Sequence, residues 1–136
     1  MSIAMNNKQE SKGEYIPGTC NIGREEIIRR RAGAIIGLII TIIFIVIMQW
    51  FKIDHWWRLL IFLPVTSTVI SFEQWYFKFC VAFARMGVYN FGPIGKTYKV
   101  ENTEYLKKDR AKARRMNLAG ILAGAVAAVV YFFLPV

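Results

Sequence analysis

The chain has 136 residues, 55% hydrophobic and 15% aromatic, with a net charge of +9 from 18 Lys+Arg against 9 Asp+Glu. That apolar share exceeds the roughly 45–50% usual in soluble domains, and it is gathered into long blocks instead of alternating with charge at helix or strand spacing. One domain is the expectation from length. Two cysteines, Cys20 and Cys80, with no CxxC and a single His55, exclude a disulfide framework and leave no metal set to expect.

Residues 1–23 are polar, and Gly13, Pro17, Gly18 and Gly23 interrupt any regular pattern. They read as a flexible cytoplasmic arm, with residues 24–136 a single integral membrane domain. The Met-Ser start lacks the glycine that myristoylation requires. The first apolar block begins only at Ala32 and is too long for a signal-peptide core, so no such peptide is expected. Arg24 to Arg31 (REEIIRRR) reads as a helical turn leading into that block, with Glu25–Arg29 and Glu26–Arg30 at pairing distance.

Residues 32–51 (AGAIIGLIITIIFIVIMQWF) carry no charge over 20 positions. At about 1.5 Å per residue they extend roughly 30 Å, the thickness of the bilayer hydrocarbon. In lipid the backbone must bond to itself, so this stretch is predicted to be a transmembrane helix. Residues 116–135 form a second such helix, Ala/Gly-rich at first and aromatic at its end.

Between them, residues 59–72 (LLIFLPVTSTVISF) are uncharged but short for a span. Extension to 56–77 makes a third span, with Arg58 snorkelling to one interface and Glu73 at the other. Pro64 predicts a kink, and Thr66, Ser67 and Thr68 supply hydroxyls for freed carbonyls. The weaker alternative is a re-entrant segment.

Charge distribution favours the three-span reading. Six Lys/Arg precede residue 32, only Lys52 and Arg58 separate the first two blocks, and ten lie between residues 78 and 115. Cytoplasmic loops collect Lys and Arg, so the N-terminus is expected inside and the C-terminus outside. Trp50, Trp56 and Trp57 fall at the outer interface, and Trp75, Tyr76 and Tyr89 near the inner one. The whole is therefore an all-α membrane protein of three helices. A possible interfacial helix lies near 75–90, where Trp75, Phe79, Ala82, Phe83 and Met86 would share a face; a continuation of the second span packed on its own protein fits that stretch equally well.

Four side-chain groups stand out. Gly33 and Gly37, and Gly120 and Gly124, form two G-x-x-x-G seams for close helix packing, between the first and third spans or between protomers. Glu73, beside Gln74, is the one acid at membrane depth and so a candidate ion or proton site, though pairing with Lys78 or Arg85 is the plainer reading. Lys107, Lys108, Arg110, Lys112, Arg114 and Arg115 lie on a helix that begins before the third span, with Asn102 or Thr103 as its cap. They set topology and contact anionic lipid headgroups, at about 1 kcal/mol per basic residue. Cys80 is a palmitoylation candidate or a buried thiol. No nucleic-acid motif accompanies the charge, and no catalytic, P-loop or GxGxxG motif appears. No enzyme and no cofactor is expected. The functional expectation is an accessory or assembly subunit of a bacterial inner-membrane complex, in contact with other subunits or with itself. The alternative is a small homo-oligomeric transporter or channel using the polar face of the second span.

Overall fold

A computed structural model describes residues 15–94 and 96–135. It is mostly helical: α1 (Arg24–Trp50), a 3-10 segment (His55–Ile61), α2 (Phe62–Phe77), α3 (Val81–Met86), strands β1 (Val88–Tyr89) and β2 (Tyr98–Lys99), and α4 (Thr103–Phe133). Among the described residues α1 and α4 are the two helices long and apolar enough to cross a membrane.

α1 takes up the first apolar block and the REEIIRRR turn before it. Glu25 and Glu26 occupy its first turn, where the helix dipole favours anions. Arg29 and Arg30 both reach Glu26, at 3.9 and 3.3 Å. The helix ends at Phe51, and Lys52 turns left-handed at φ 49° so that Ile53 N–H donates to the Met48 carbonyl.

The second hydrophobic block is continuous from the 3-10 segment into α2. Seven residues at about 2 Å and sixteen at about 1.5 Å give roughly 38 Å. Pro64 falls in the first turn of α2, where its missing N–H has no intrahelical bond to make. The helix type changes from 3-10 to α just ahead of the proline. The Thr68 hydroxyl donates to the Pro64 carbonyl at 2.6 Å.

α2 packs against both long helices and lies between them. Both glycine seams face it. A Cβ at Gly33 would meet Ser71 Oγ at 3.5 Å, and one at Gly37 would run into Thr68. On the other side, a Cβ at Gly120 would collide with Ile70, and one at Gly124 with Thr66 and with Phe62 at 3.0 Å. The seams therefore do not join the first and third helices, as one sequence reading had them. Each lets α2's small hydroxyl residues sit against helix backbone.

Arg58 lies on the 3-10 segment. It is buried, and its guanidinium donates to the carbonyls of Tyr131 and Leu134 at 3.1 and 2.9 Å, 5.0 Å from the Tyr131 ring. The carbonyls at a helix C-terminus lack intrahelical donors and carry the negative end of the dipole, so this cation closes α4. Arg58→Ala is expected to lower stability by about 3 kcal/mol, as loss of a buried charge-assisted cap. Thermal unfolding in detergent measures it, and a substitution without effect would show that the cap contributes nothing.

At the opposite end a small cap folds over the helices. α2 stops because Lys78 turns left-handed at φ 55°, letting Phe79 N–H donate to the Gln74 carbonyl at 3.1 Å. The stretch near 75–90 is therefore not one interfacial helix. α3 is a separate short helix whose Val81 and Ala84, with the buried Phe79, pack on Ala113 and Met116 of α4. Gln74 Oε1 accepts from Val81 N–H at 3.0 Å and fixes the corner. β1 pairs antiparallel with β2, Val88 opposite Lys99 and Tyr89 opposite Tyr98.

Residues 15–23, part of the segment read as a flexible arm, lie in this cap; residues 1–14 fall outside the described residues. Asn21 and Ile22 are wholly buried. Asn21 exchanges two hydrogen bonds with Cys80, Cys80 N–H donating at 2.6 Å and Asn21 Nδ2 donating to the Cys80 carbonyl at 3.0 Å. Gly23 N–H donates to the Asn90 carbonyl at 2.7 Å. The chains are so close there that a Cβ at Gly23 would lie 2.8 Å from Phe91 Cα.

Candidate functional site

The basic part of α4 is the feature of this cap with the most chemistry to offer. Asn102 Oδ1 accepts from Glu104 and Tyr105 N–H at 2.9 and 3.4 Å and starts the helix. From there the buried face runs Asp109, Ala113, Met116, Gly120, Gly124, Ala128, Tyr131, a single stripe at three- and four-residue steps. That stripe sorts the charges.

The six basic residues do not share one surface. Lys107, Arg110 and Arg114 recur at helical spacing and, with Arg85 of α3 opposite, line an open groove of about 680 Å³. Lys107 also lies 3.9 Å from Glu104. Lys108 packs its Cβ near Gly18, and Arg115 is exposed. Lys112 turns to the other side, its Nζ 4.3 Å from the centre of the Phe77 ring. Burial there, and then Arg115, push Lys112 below the ordinary lysine range, while Glu73 opposes them. Arg85 was read as a pairing partner for Glu73; its place in this groove became visible once α3 folded back on α4.

Glu73 sits at the end of α2 with Oε2 buried and without a hydrogen-bond partner among the described residues. No ion pair joins it to Lys78 or Arg85 among the described residues. Its neighbour Gln74 is committed to the corner of α3. Thr66, Thr68 and Ser71 are committed to the glycine seams, facing α4 in the first case and α1 in the other two. Thr66, Thr68 and Ser71 are thus divided between two packed faces, while Ser67 is exposed. Among the described residues no three His, Cys, Asp or Glu side chains come together.

Asp109 was missed as a functional residue. It is wholly buried, accepting from the Tyr15 hydroxyl and from Gly18 N–H, each at 2.7 Å. Gly18, at φ +69°, makes the turn that presents that N–H. Tyr15 stacks on Tyr89 at 4.7 Å and meets Tyr105 edge-on at 6.2 Å. Burial first, then the bond to Asp109, raise the Tyr15 phenol well above its ordinary value. A group with a raised folded pKa contributes stability that is complete below its unfolded pKa, about 10 for tyrosine, and is lost as pH climbs through the folded value. The cap is therefore expected to loosen above pH ~10, and Tyr15→Phe to remove that component of the alkaline transition. Amide exchange of residues 15–23 across the pH range measures it.

Cys80 is wholly buried, and Arg30 Nη2 donates to its sulfur at 3.0 Å, so it is a packed thiol and not an acceptor for palmitate. Cys20 is half-buried, and burial raises its pKa. At the far end, His55 Nδ1 lies 3.0 Å from Asp54 Oδ1, and its ring is tilted against Trp56 and edge-on to Phe132.

Comparison with protein families, with curated proteins and with solved structures found no match.

Proposed function

We propose that this chain is a three-span protein of the plasma membrane, in a bacterial cell the inner membrane, with its N-terminus inside and its C-terminus outside. In this reading it serves as a non-catalytic accessory or assembly subunit. The observation that carries the reading is the mantle of uncovered apolar side chains around the long helices, with cations gathered at one end. Ile36, Ile39, Ile43 and Val46 of α1 and Leu122, Val126 and Val129 of α4 are all about half exposed. Only 11% of the most apolar stretch of α1 and 28% of that of α4 is buried, whereas a core helix of a soluble fold would be mostly covered. The roughly 38 Å from His55 to Phe77 supports the middle span, and the Trp-rich turn at Trp50–Trp57 supports an outer interface.

The inner cap then presents the groove of Arg85, Lys107, Arg110 and Arg114 beside the headgroups. Anionic lipid headgroups, or an acidic face of a neighbouring subunit, suit it. The subunit role predicts that the protein, solubilised gently and sized with its detergent, runs with co-purifying membrane protein or as an oligomer. A stable lone monomer would contradict it. The channel reading is weaker, because the hydroxyls of Thr66, Thr68 and Ser71 lie against glycines, which leaves only Ser67 of that cluster exposed. Ion flux through liposomes that was abolished by Glu73→Gln would restore it.

A further inference from the structure

A second crevice lies on the inner side, away from the basic groove. It is formed where residues 16–22 cross the first turn of α1 and the last turn of α2, and it encloses about 550 Å³. Its lining is largely apolar, with Ile22, Ile27 and Phe77, and includes the exposed Ile28, one turn before the uncharged stretch of α1. Two cations stand on its lining, Arg24 and Lys78. Among the described residues neither makes an ion pair and no acid lines the crevice. Lys78 is held there by its own backbone, since it is the left-handed residue that terminates α2.

Resting on the three-span reading, this places a largely apolar slot at headgroup level, next to the inner ends of the first two spans, with two cations on its lining. The volume falls within the roughly 300–1,000 Å³ of ligand sites. It admits a phosphate and the upper part of one chain, and leaves the remainder along Ile28. Cation chemistry selects a net negative headgroup over a zwitterionic one, and the apolar lining selects an amphiphile over a free anion. We propose that the crevice between residues 16–22 and the inner ends of α1 and α2 holds one anionic glycerophospholipid from the surrounding leaflet, its phosphate between Arg24 and Lys78 and an acyl chain on Ile27 and Phe77.

The crevice contains its own reporter. Cys20 lines it and is half-buried, whereas Cys80 is wholly buried. The full chain is placed in nanodiscs of palmitoyl-oleoyl phosphatidylglycerol or of the matching phosphatidylcholine, and Cys20 labelling by N-ethylmaleimide is timed. The expected result is labelling about tenfold slower in phosphatidylglycerol, a factor of ten corresponding to about 1.4 kcal/mol of occupancy, with the difference gone in Arg24→Gln/Lys78→Gln. Equal rates for the native chain in both lipids overturn the proposal, as does a difference that survives the double substitution. Protection by inorganic phosphate added to phosphatidylcholine discs assigns the site to a free anion and also overturns it. If the double variant exposes Cys80 and so proves misfolded, native mass spectrometry of the unaltered chain from equimolar discs decides. One retained phosphatidylglycerol per chain supports the proposal, and no headgroup preference overturns it. Failure of the spanning reading would show separately, as a chain that does not enter the discs at all, and would remove both.

Discussion

Gly124→Leu is expected to separate α2 from α4 and lower stability by more than about 3 kcal/mol, beyond the 1–3 typical of overpacking, because even a methyl there overlaps Thr66 and closes on Phe62. For a chain of this size that is a fall of roughly 10 °C or more in thermal midpoint. Neither obstacle yields easily. Thr66 is β-branched and stiff, and the Phe62 carbonyl, 3.1 Å from the added carbon, is main chain. Gly33→Ala provides the contrast, since its methyl would make ordinary contact with Ser71 at 3.5 Å. A change within about 0.5 kcal/mol is expected there. The pair of measurements separates close approach from helix propensity, because leucine and alanine both raise propensity over glycine. Equal responses at Gly124 and Gly33 would show that backbone approach to α2 is not what the glycines provide.

Asp109→Ala is expected to release residues 15–23 from the cap while leaving the long helices formed. The substitution removes a buried carboxylate with two short hydrogen bonds, to Tyr15 and Gly18, and strands the Gly18 N–H. Charged acceptors contribute about 1.5–3 kcal/mol per bond, so a loss near 3 kcal/mol is a conservative expectation. Opening of the segment should rise roughly 100-fold, at 1.4 kcal/mol per decade. Tryptic cleavage after Arg24 reads it directly. Asp109→Asn keeps an acceptor for Gly18 and is expected to fall between the two. Unchanged cleavage in the alanine variant would place the anchor of this segment elsewhere, with Asn21 and Asn90 the next residues to test.

The long helices were legible because their signal is bulk and additive. Twenty uncharged residues from Ala32 announce a helix without any knowledge of neighbours, and α1 and α4 lie where such blocks predicted them. The direction of the glycine seams was not legible. Periodicity places Gly120 and Gly124 on one face, yet which helix meets that face depends on α2 lying between the others. The stop at Lys78 was invisible for a local reason. Left-handed helix ends usually announce themselves with glycine or asparagine, and here a lysine takes that conformation.

The cap was missed for the same kind of cause. Asn21 and Asn90 are separated by many residues and meet only in the folded chain, where Asn90 N–H donates to the Asn21 carbonyl at 3.0 Å. Asp109 is one acid among the many cations of KKDRAKARR, so it does not stand out in the sequence. One signal was present: Asp109, Ala113, Met116 and Gly120 fall on the seam face of α4, so an acid on that face needed a buried partner. The basic groove required α3 to fold back on α4, which no local pattern encodes.

The number of spans is the claim on which the orientation of every site depends, and sidedness of the loop before α4 tests it most directly. Lys99 is exposed on β2, within the segment of ten cations. In a Cys20→Ser background, Lys99→Cys is treated in intact cells with a membrane-impermeant maleimide. Three spans predict labelling only after the membrane is permeabilised, with a cysteine at His55 labelled before. Labelling of Lys99→Cys in intact cells would put the cationic loop outside and leave a two-span protein.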